Sequence, residues 1–333
     1  MRRYISIVFK GLTLLVLTAT TLSLLEHQLW FCALFSHFRP FYALWLGLAL
    51  LLLIWQPRKP HVYVALLALL SGLALNLYYV LPQSLFPGIA SAAHTSLTPM
   101  LRITHINLDR HVQDYGPVLA YLRAREDDIL LLQEVTPRLL AQLPSALPAY
   151  DIIIHKALES SHGSAILRHR QRPITVLAKQ EWYLPASSLR PLLSVQLSYA
   201  GQNIQVLSLH TTRPRLAFNF EDKAWFTGFY QNEELAAVAA WSREQQAQGL
   251  STLILGDFNT TPWAGNFQYF LQQGQLQDAA RPWGWHATWP SPLPVLPIDL
   301  CSHSADLRVN SYQIGPHNSG DHRALHIQLQ LNS

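Results

Sequence analysis

Thr252-Leu253-Ile254-Leu255-Gly256-Asp257-Phe258-Asn259 is the stretch on which the reading of this 333-residue chain turns. Thr252 to Leu255 is a short run with no polar face, which suits a central strand buried on both sides. The chain then leaves the strand through Gly256 and presents an acid and an amide, Asp257 and Asn259, where the strand returns to solvent.

The same arrangement recurs on either side of it. Arg102-Ile103-Thr104-His105-Ile106 ends in Asn107-Leu108-Asp109, and Ile129 to Leu132 ends in Gln133-Glu134. Val206 to Leu209 ends in His210, and Pro297-Ile298 runs into Asp299. Asp321-His322 stands just before the alternating Leu325, Ile327, Leu329 and Leu331. One polar strand ending means little, because every strand must return to water. Six in one domain form a pattern. Rigid strands holding Asp, Glu, Asn and His at one sheet edge suit a hard-cation site with a water nucleophile. Zinc fits less well, for there is neither a His-Glu-x-x-His motif nor a cysteine pair. Cys32 and Cys301 read as buried free thiols.

Between the strands lie helical stretches. Phe267, Phe270 and Leu271 have helical spacing with Gly274 as a stop, and Asn232-Glu233-Glu234 starts a helix that Gly249 ends. Leu193, Val195, Leu197 and Tyr199 alternate as a half-exposed strand and lead through Ala200-Gly201-Gln202-Asn203 into the Ile204 strand, an expected hairpin. The Leu325 to Leu331 alternation is likewise expected to be half-exposed. Strands and helices without strict alternation imply an α/β (α+β) layered sandwich.

The ordered series Asn107, Gln133-Glu134, His210, Gly256-Asp257-Phe258-Asn259, Ile298-Asp299 and Asp321-His322 resembles the endonuclease/exonuclease/phosphatase superfamily, the deoxyribonuclease-I-like proteins. More closely, the chain resembles bacterial members with several N-terminal membrane helices. The likeness covers about Leu101 to Leu331, with Gly-Asp-Phe-Asn and the terminal Asp-His as its most specific elements. It implies a two-sheet sandwich flanked by helices, and it implies roles. Glu134 would be the principal Mg²⁺ or Mn²⁺ ligand, with Asn107 and Asp321 in support. Asp109 is either a further ligand or a cap on the segment leading to Tyr115. Asp257 would position or deprotonate the attacking water, and Asn259 would donate to a phosphate oxygen. His322 would meet the phosphoryl group, oriented by Asp299, and His210 would be a second cationic or acid group across the phosphate. Leu300 stands where family members often carry His, and Gly320 where Ser is usual. Arg213 could clamp a phosphate but reads first as a solvated loop arginine. His105, His162 and His286 read as scaffold.

Charge is unevenly divided. Residues before Leu101 hold six Lys or Arg and one acid, whereas the remainder holds 18 basic and 19 acidic residues, so the net +4 belongs to the N-terminal part. Charged residues make up 13% of the chain, well under the usual quarter, which points to a membrane component. Three apolar spans are expected at about 4–25, 38–56 and 61–81, the middle one the weakest because Phe41 to Trp55 alone is short. Arg2, Arg3, Lys10, Arg58 and Lys59 place the N-terminus and the loop near residue 58 in the cytoplasm by the positive-inside bias. Three crossings of the bacterial cytoplasmic membrane then put the third segment on the periplasmic side. The expected organisation is residues 1–81 as a membrane anchor, 82–100 as a linker and 101–333 as the catalytic domain.

The balanced charge of 101–333 gives no net attraction for nucleic acid. Two aromatic groups, Phe218 to Tyr230 and Trp283, Trp285 and Trp289, serve either as packing under loops or as contacts for bases or lipid. The expected activity is a membrane-anchored, divalent-metal-dependent phosphodiesterase acting on nucleic acid or a phospholipid-like headgroup. The alternative is a silent membrane-tethered binding module with the same fold.

Overall fold

The continuous apolar runs become the centres of two packed six-stranded sheets. The computed structural model describes residues 2–26, 30–55, 59–84, 99–215, 227–281 and 285–330. Four helices come first: α1 (Arg2–Leu22), the short α2 (Ala33–Ser36), α3 (Arg39–Ile54) and α4 (Pro60–Ser84). Then follow β1 (Met100–Asn107), α5 (Gly116–Arg125), β2 (Ile129–Gln133), α6 (Pro137–Ala146), β3 (Tyr150–Lys156) and β4 (Ser164–His169). The second half contains β5 (Thr175–Tyr183), β6 (Pro191–Tyr199), β7 (Gln202–Ser208), α7 (Gly228–Ala247), β8 (Ser251–Asp257) and α8 (Gly265–Gly274). It ends with β9 (Leu276–Asp278), β10 (Asp299–Ser304), β11 (Arg308–Ile314) and β12 (Leu325–Gln330).

One sheet has the order β11-β12-β1-β2-β4-β3 and the other β5-β6-β7-β8-β10-β9. Each contains one parallel pair, β1 with β2 and β7 with β8. The parallel pairs put Asn107 beside Gln133 in one sheet and Ser208 beside Leu255 in the other. Polar residues that follow such strands therefore emerge at a common edge.

The apolar runs are explained by layers on both faces. Leu253 and Leu255 of β8 share the layer between the sheets with Ile129 and Leu131 of β2 and Ile103 of β1. Ile254 faces the other way, onto Val238 and Trp241 of α7 and Phe267 and Phe270 of α8. On the opposite face, Leu130 and Leu132 pack beneath Leu122 of α5 and Leu139 of α6. Each such side chain stabilises the fold by about 1.5–3 kcal/mol when fully buried. The result is the helix–sheet–sheet–helix sandwich that the resemblance implied.

Three local expectations are corrected. β6 is not half-exposed: Leu192 and Ser194 are buried as well, with the Trp182 indole donating to Ser194 Oγ at 2.8 Å. In β12 the alternate residue His326 is buried, paired with Tyr121 Oη at 2.6 Å. Helix α7 begins at Gly228, a turn before Asn232. The hairpin of β6 and β7 forms as expected, turning at Ala200 (φ 51°) and Gly201 (φ 81°).

The N-terminal part is also corrected. Two helical segments, Ser6–Leu25 and Pro60–Leu81, are long and apolar enough to cross a membrane, and α3 is not. Its 16 residues give roughly 24 Å at about 1.5 Å each, short of a hydrocarbon core. Phe38 leaves the helical region (φ −98°, ψ 8°), so residues 36–38 cannot extend α3 as expected. Leu46 and Leu69 nevertheless join α3 to α4, and Phe9, Val16 and Leu17 of α1 pack on them. The expected linker starts later, because α4 continues to Ser84, and Met100 already belongs to β1. Most of the expected linker lies outside the described residues.

Candidate active site

The chain needs Gly256 because a Cβ there would lie 1.7 Å from Leu209 O and 2.7 Å from Gln133 Nε2. That close approach brings β8 against the end of β7. Gln133 ties the two sheets together: its Oε1 accepts from Asp257 N at 3.1 Å, and its Nε2 donates to Leu209 O at 2.8 Å. Gln133 is fully buried and acts as a brace rather than as part of the reacting surface.

The two sheets meet around Asp257. Its Oδ1 accepts from Asn259 N at 2.9 Å, and its Oδ2 accepts from Asn107 Nδ2 at 3.2 Å. The same Oδ2 lies 3.7 Å from His210 Nε2 and 3.7 Å from His322 Nε2. Asn107 Nδ2 also donates to Glu134 Oε1 at 3.3 Å, and Glu134 Oε2 accepts from Arg110 N at 3.0 Å. Asp299 sits opposite Asp257 in the β8–β10 register, which leaves Leu300 buried in the apolar layer under α7. Asp299 Oδ2 accepts from His322 Nδ1 at 2.7 Å, and its Oδ1 pairs with His105 Nε2 at 2.9 Å. The acids and imidazoles thus form one chain: His105, Asp299, His322, Asp257, His210.

Three of these edge residues have left-handed backbones: Asp109 (φ 51°), Glu134 (φ 59°) and Asn259 (φ 48°). Non-glycine residues hold that conformation only when their surroundings impose it, and such strain gathers at functional sites.

Electrostatics separates the roles. Burial, reinforced by the Asp299 charge, raises Asp257 to about 7 despite the neighbouring His322. Burial would lower His322, but the Asp299 and Asp257 carboxylates outweigh it and hold the imidazole at about 10. Asp299 is itself held below the usual carboxylate range: burial opposes ionisation, and His322 and His105 overcome it. His210 is pushed well below its ordinary value, first by burial and then by Arg190 and His322. Burial thus favours the neutral imidazole at His210, where the sequence reading expected a second cationic or acid group.

Not every expected residue joins the centre. Asp109 Oδ1 accepts from His111 N at 3.0 Å, which is the turn-capping alternative. Asp321 is half-exposed, accepts from Trp289 Nε1 at 3.1 Å and lies 3.9 Å from His322 Nε2. Arg213 lies over the Trp289 ring at 5.2 Å, at the rim. Asn259 spends one amide N–H on Thr211 O at 3.0 Å. Trp283 and residues 216–226 lie outside the described residues.

Residues 104–322 match the model of the Endonuclease/Exonuclease/phosphatase family. The chain belongs to that family. No match is found among curated proteins. Among solved structures, an endonuclease/exonuclease/phosphatase family protein from Bacteroides thetaiotaomicron is 17% identical with a TM-score of 0.56, covering 71% of this chain and 99% of that one. TDP2 of D. rerio, in complex with a single-strand DNA product, is 15% identical with a TM-score of 0.55, covering 70% and 99%. A mannosyl-6-phosphatase of Bacteroides thetaiotaomicron is 18% identical with a TM-score of 0.54, covering 69% and 99%. At these identities the likeness carries the fold, and the family supports a hydrolase.

Within the family site, two residues escape a reading of the sequence. His105 reads as scaffold there, yet it holds the far oxygen of Asp299. Its position two residues before Asn107 on β1, on the same strand face, is the available signal. Arg190 lies 3.1 Å from Thr212 Oγ1 and 3.9 Å from Glu234 Oε1, and its Nη1 is buried without a hydrogen-bond partner among the described residues. Its charge is felt by Asp257, Glu134 and His210. No local pattern marks it, since it stands in the segment before β6.

The donor set also bears on a metal. Among the described residues no group of three or more His, Cys, Asp or Glu side chains is arranged to hold a metal ion. Glu134 and Asp257 do converge on a single amide donor, Asn107 Nδ2, which marks a place of concentrated negative charge. Oxygen donors that few in number fit a hard cation that keeps much of its water.

Proposed function

We propose that this chain is a divalent-metal-dependent phosphodiesterase held at a membrane by its N-terminal helices. The observation that carries the reading is Asp257 Oδ2, placed among Asn107 Nδ2, His210 Nε2 and His322 Nε2. A carboxylate near 7 is suited to orient and accept a proton from an attacking water. A buried imidazolium held by Asp299 is suited to stabilise the phosphoryl oxygens and to protonate the leaving oxygen. Glu134, assisted by Asn107, would hold Mg²⁺ or Mn²⁺, which when bound supplies charge neutralisation at the phosphate. Asn259 retains a second amide N–H for a phosphate oxygen, and neutral His210 can accept or donate across the same phosphate.

Membrane attachment is supported by the character of the first helices. Leu14, Leu15, Leu44, Leu51, Val64 and Leu67 are each more than 60% exposed, an apolar belt that water would not tolerate cheaply. Polar bonds within the bundle, Trp45 Nε1 to Thr13 Oγ1 at 3.1 Å and Asn76 Nδ2 to Thr20 Oγ1 at 3.0 Å, favour a retained α1 over a cleaved leader. Arg39 at the start of α3 lies over Tyr79 near the end of α4, so α3 runs antiparallel to α4. The balanced charge of the domain favours a substrate presented at the bilayer, such as a phospholipid-like headgroup, over duplex nucleic acid.

The test is the full-length protein in lipid nanodiscs with Mg²⁺ or Mn²⁺. A generic phosphodiester, single- and double-stranded DNA, RNA and phospholipids are offered in parallel. Divalent-dependent cleavage that stops in chelator is expected. A chain that binds one of these ligands yet cleaves none would be the silent binding module instead.

A further inference from the structure

The segment that follows the catalytic Asp257-Phe258-Asn259 is gripped from outside the sandwich. Trp263 Nε1 donates to His37 O at 3.1 Å, and Thr261 Oγ1 lies 3.3 Å from His37 Nδ1. Gly265 N donates to Glu26 Oε2 at 3.1 Å. Glu26, His37, Thr261 and Trp263 are all buried, so water does not compete for these bonds. Glu26 Oε1 is 3.8 Å from Arg39 Nη2, and the Arg39 guanidinium lies 3.8 Å from the Tyr79 ring centre while donating to Ser23 O at 3.2 Å. One cluster therefore joins the end of α1, the start of α3 and the end of α4 to the loop Thr260–Gly265.

The loop is held from the other side as well. Gln231 Nε2 of α7 donates to Phe258 O at 3.0 Å and Asn259 O at 2.9 Å, and Thr260 Oγ1 donates to Asn266 Oδ1 at 2.8 Å. Between the two grips sits Asn259 in its left-handed conformation (φ 48°). Such a backbone persists only where its surroundings over-determine it.

We propose that His37 and Glu26 of the N-terminal helices, through Trp263, Thr261 and Gly265, are positioning residues for the reaction at Asp257 and Asn259. The helices are a structural half of the catalytic loop, not a tether alone. The rate effect rests on the phosphodiesterase reading above, whereas the coupling itself does not.

The experiment compares two variants of the full-length chain in nanodiscs of one lipid composition with the wild type. Thr261→Val with Trp263→Phe removes both side-chain bonds to His37, the second with a smaller ring in place of the indole. Glu26→Gln with Arg39→Met neutralises the cluster from the helix side. In both, amides of residues 257–265 should exchange with deuterium faster while those of Thr252 to Leu255 stay protected. On a generic phosphodiester, kcat should fall about tenfold with KM nearly unchanged, the mark of a misplaced catalytic group. Exchange at 257–265 that stays at the wild-type rate in both variants overturns the proposal, whether or not melting temperature drops. Faster exchange with unaltered kcat overturns the positioning role. A wild type that cleaves no phosphoester defeats the phosphodiesterase reading, while the exchange pattern still decides the coupling.

Discussion

His322 and Asp299 are locked together at 2.7 Å, Nδ1 to Oδ2, with the rest of the imidazole directed at Asp257. Asp299 is fully buried on β10, where His322 and His105 are the side-chain partners of its carboxylate among the described residues. The pair fixes which ring nitrogen faces the phosphate and keeps that ring charged. Asp299→Asn should lower kcat by roughly 10²-fold, as expected for loss of an oriented acid. Steady-state kinetics on a generic phosphodiester, with circular dichroism as the folding control, check it.

The rate should follow a bell-shaped pH profile. In the proposed reaction Asp257 works as a carboxylate, so activity should rise with pH through about 7. His322 would work as an imidazolium, so activity should fall as pH passes about 10. Asp299→Asn removes the leading attraction on His322 and should move the upper limb to lower pH. The same raised His322 stabilises the fold fully below its ordinary value of 6.5, and that contribution is lost as pH rises through about 10. Denaturant midpoints in Asp299→Asn should accordingly lose their alkaline fall.

Glu134→Gln should weaken binding of Mn²⁺ by at least about tenfold, measured by calorimetry, and abolish activity at low metal concentration. Its side chain accepts from Arg110 N and Asn107 Nδ2, and the amide can keep one of those bonds, so the variant should fold. Wild-type metal affinity in this variant would remove Glu134 from the ligand set.

Arg190 has a buried Nη1 with no hydrogen-bond partner among the described residues and a charge felt by both Asp257 and Glu134. A bound phosphate would supply the missing acceptor. Arg190→Gln should lower kcat/KM by roughly 10²-fold, the usual cost of removing one pre-aligned donor. Inorganic phosphate should also inhibit the variant less than the wild type.

Strand centres and strand endings were legible in the residues, because a strand buried on both faces must be apolar throughout and must release its polar residues together. Thr252 to Leu255 and Ile129 to Leu132 therefore announced the sandwich, and Asn107, Glu134, Asp257, Asn259, Asp299 and His322 announced its polar edge. Tertiary structure alone decided how those endings divide the work. His105 and Arg190 join the site through contacts across 194 and 22 residues of chain, to Asp299 and Thr212, which no local pattern encodes. Burial and neighbouring charge, which exist only in the folded molecule, made His210 neutral and His322 charged although both are the same residue type. The length of α3 was settled the same way. Phe38 breaks the helix where Arg39 is drawn to Glu26 and Tyr79, a contact between segments that composition treats as one apolar anchor.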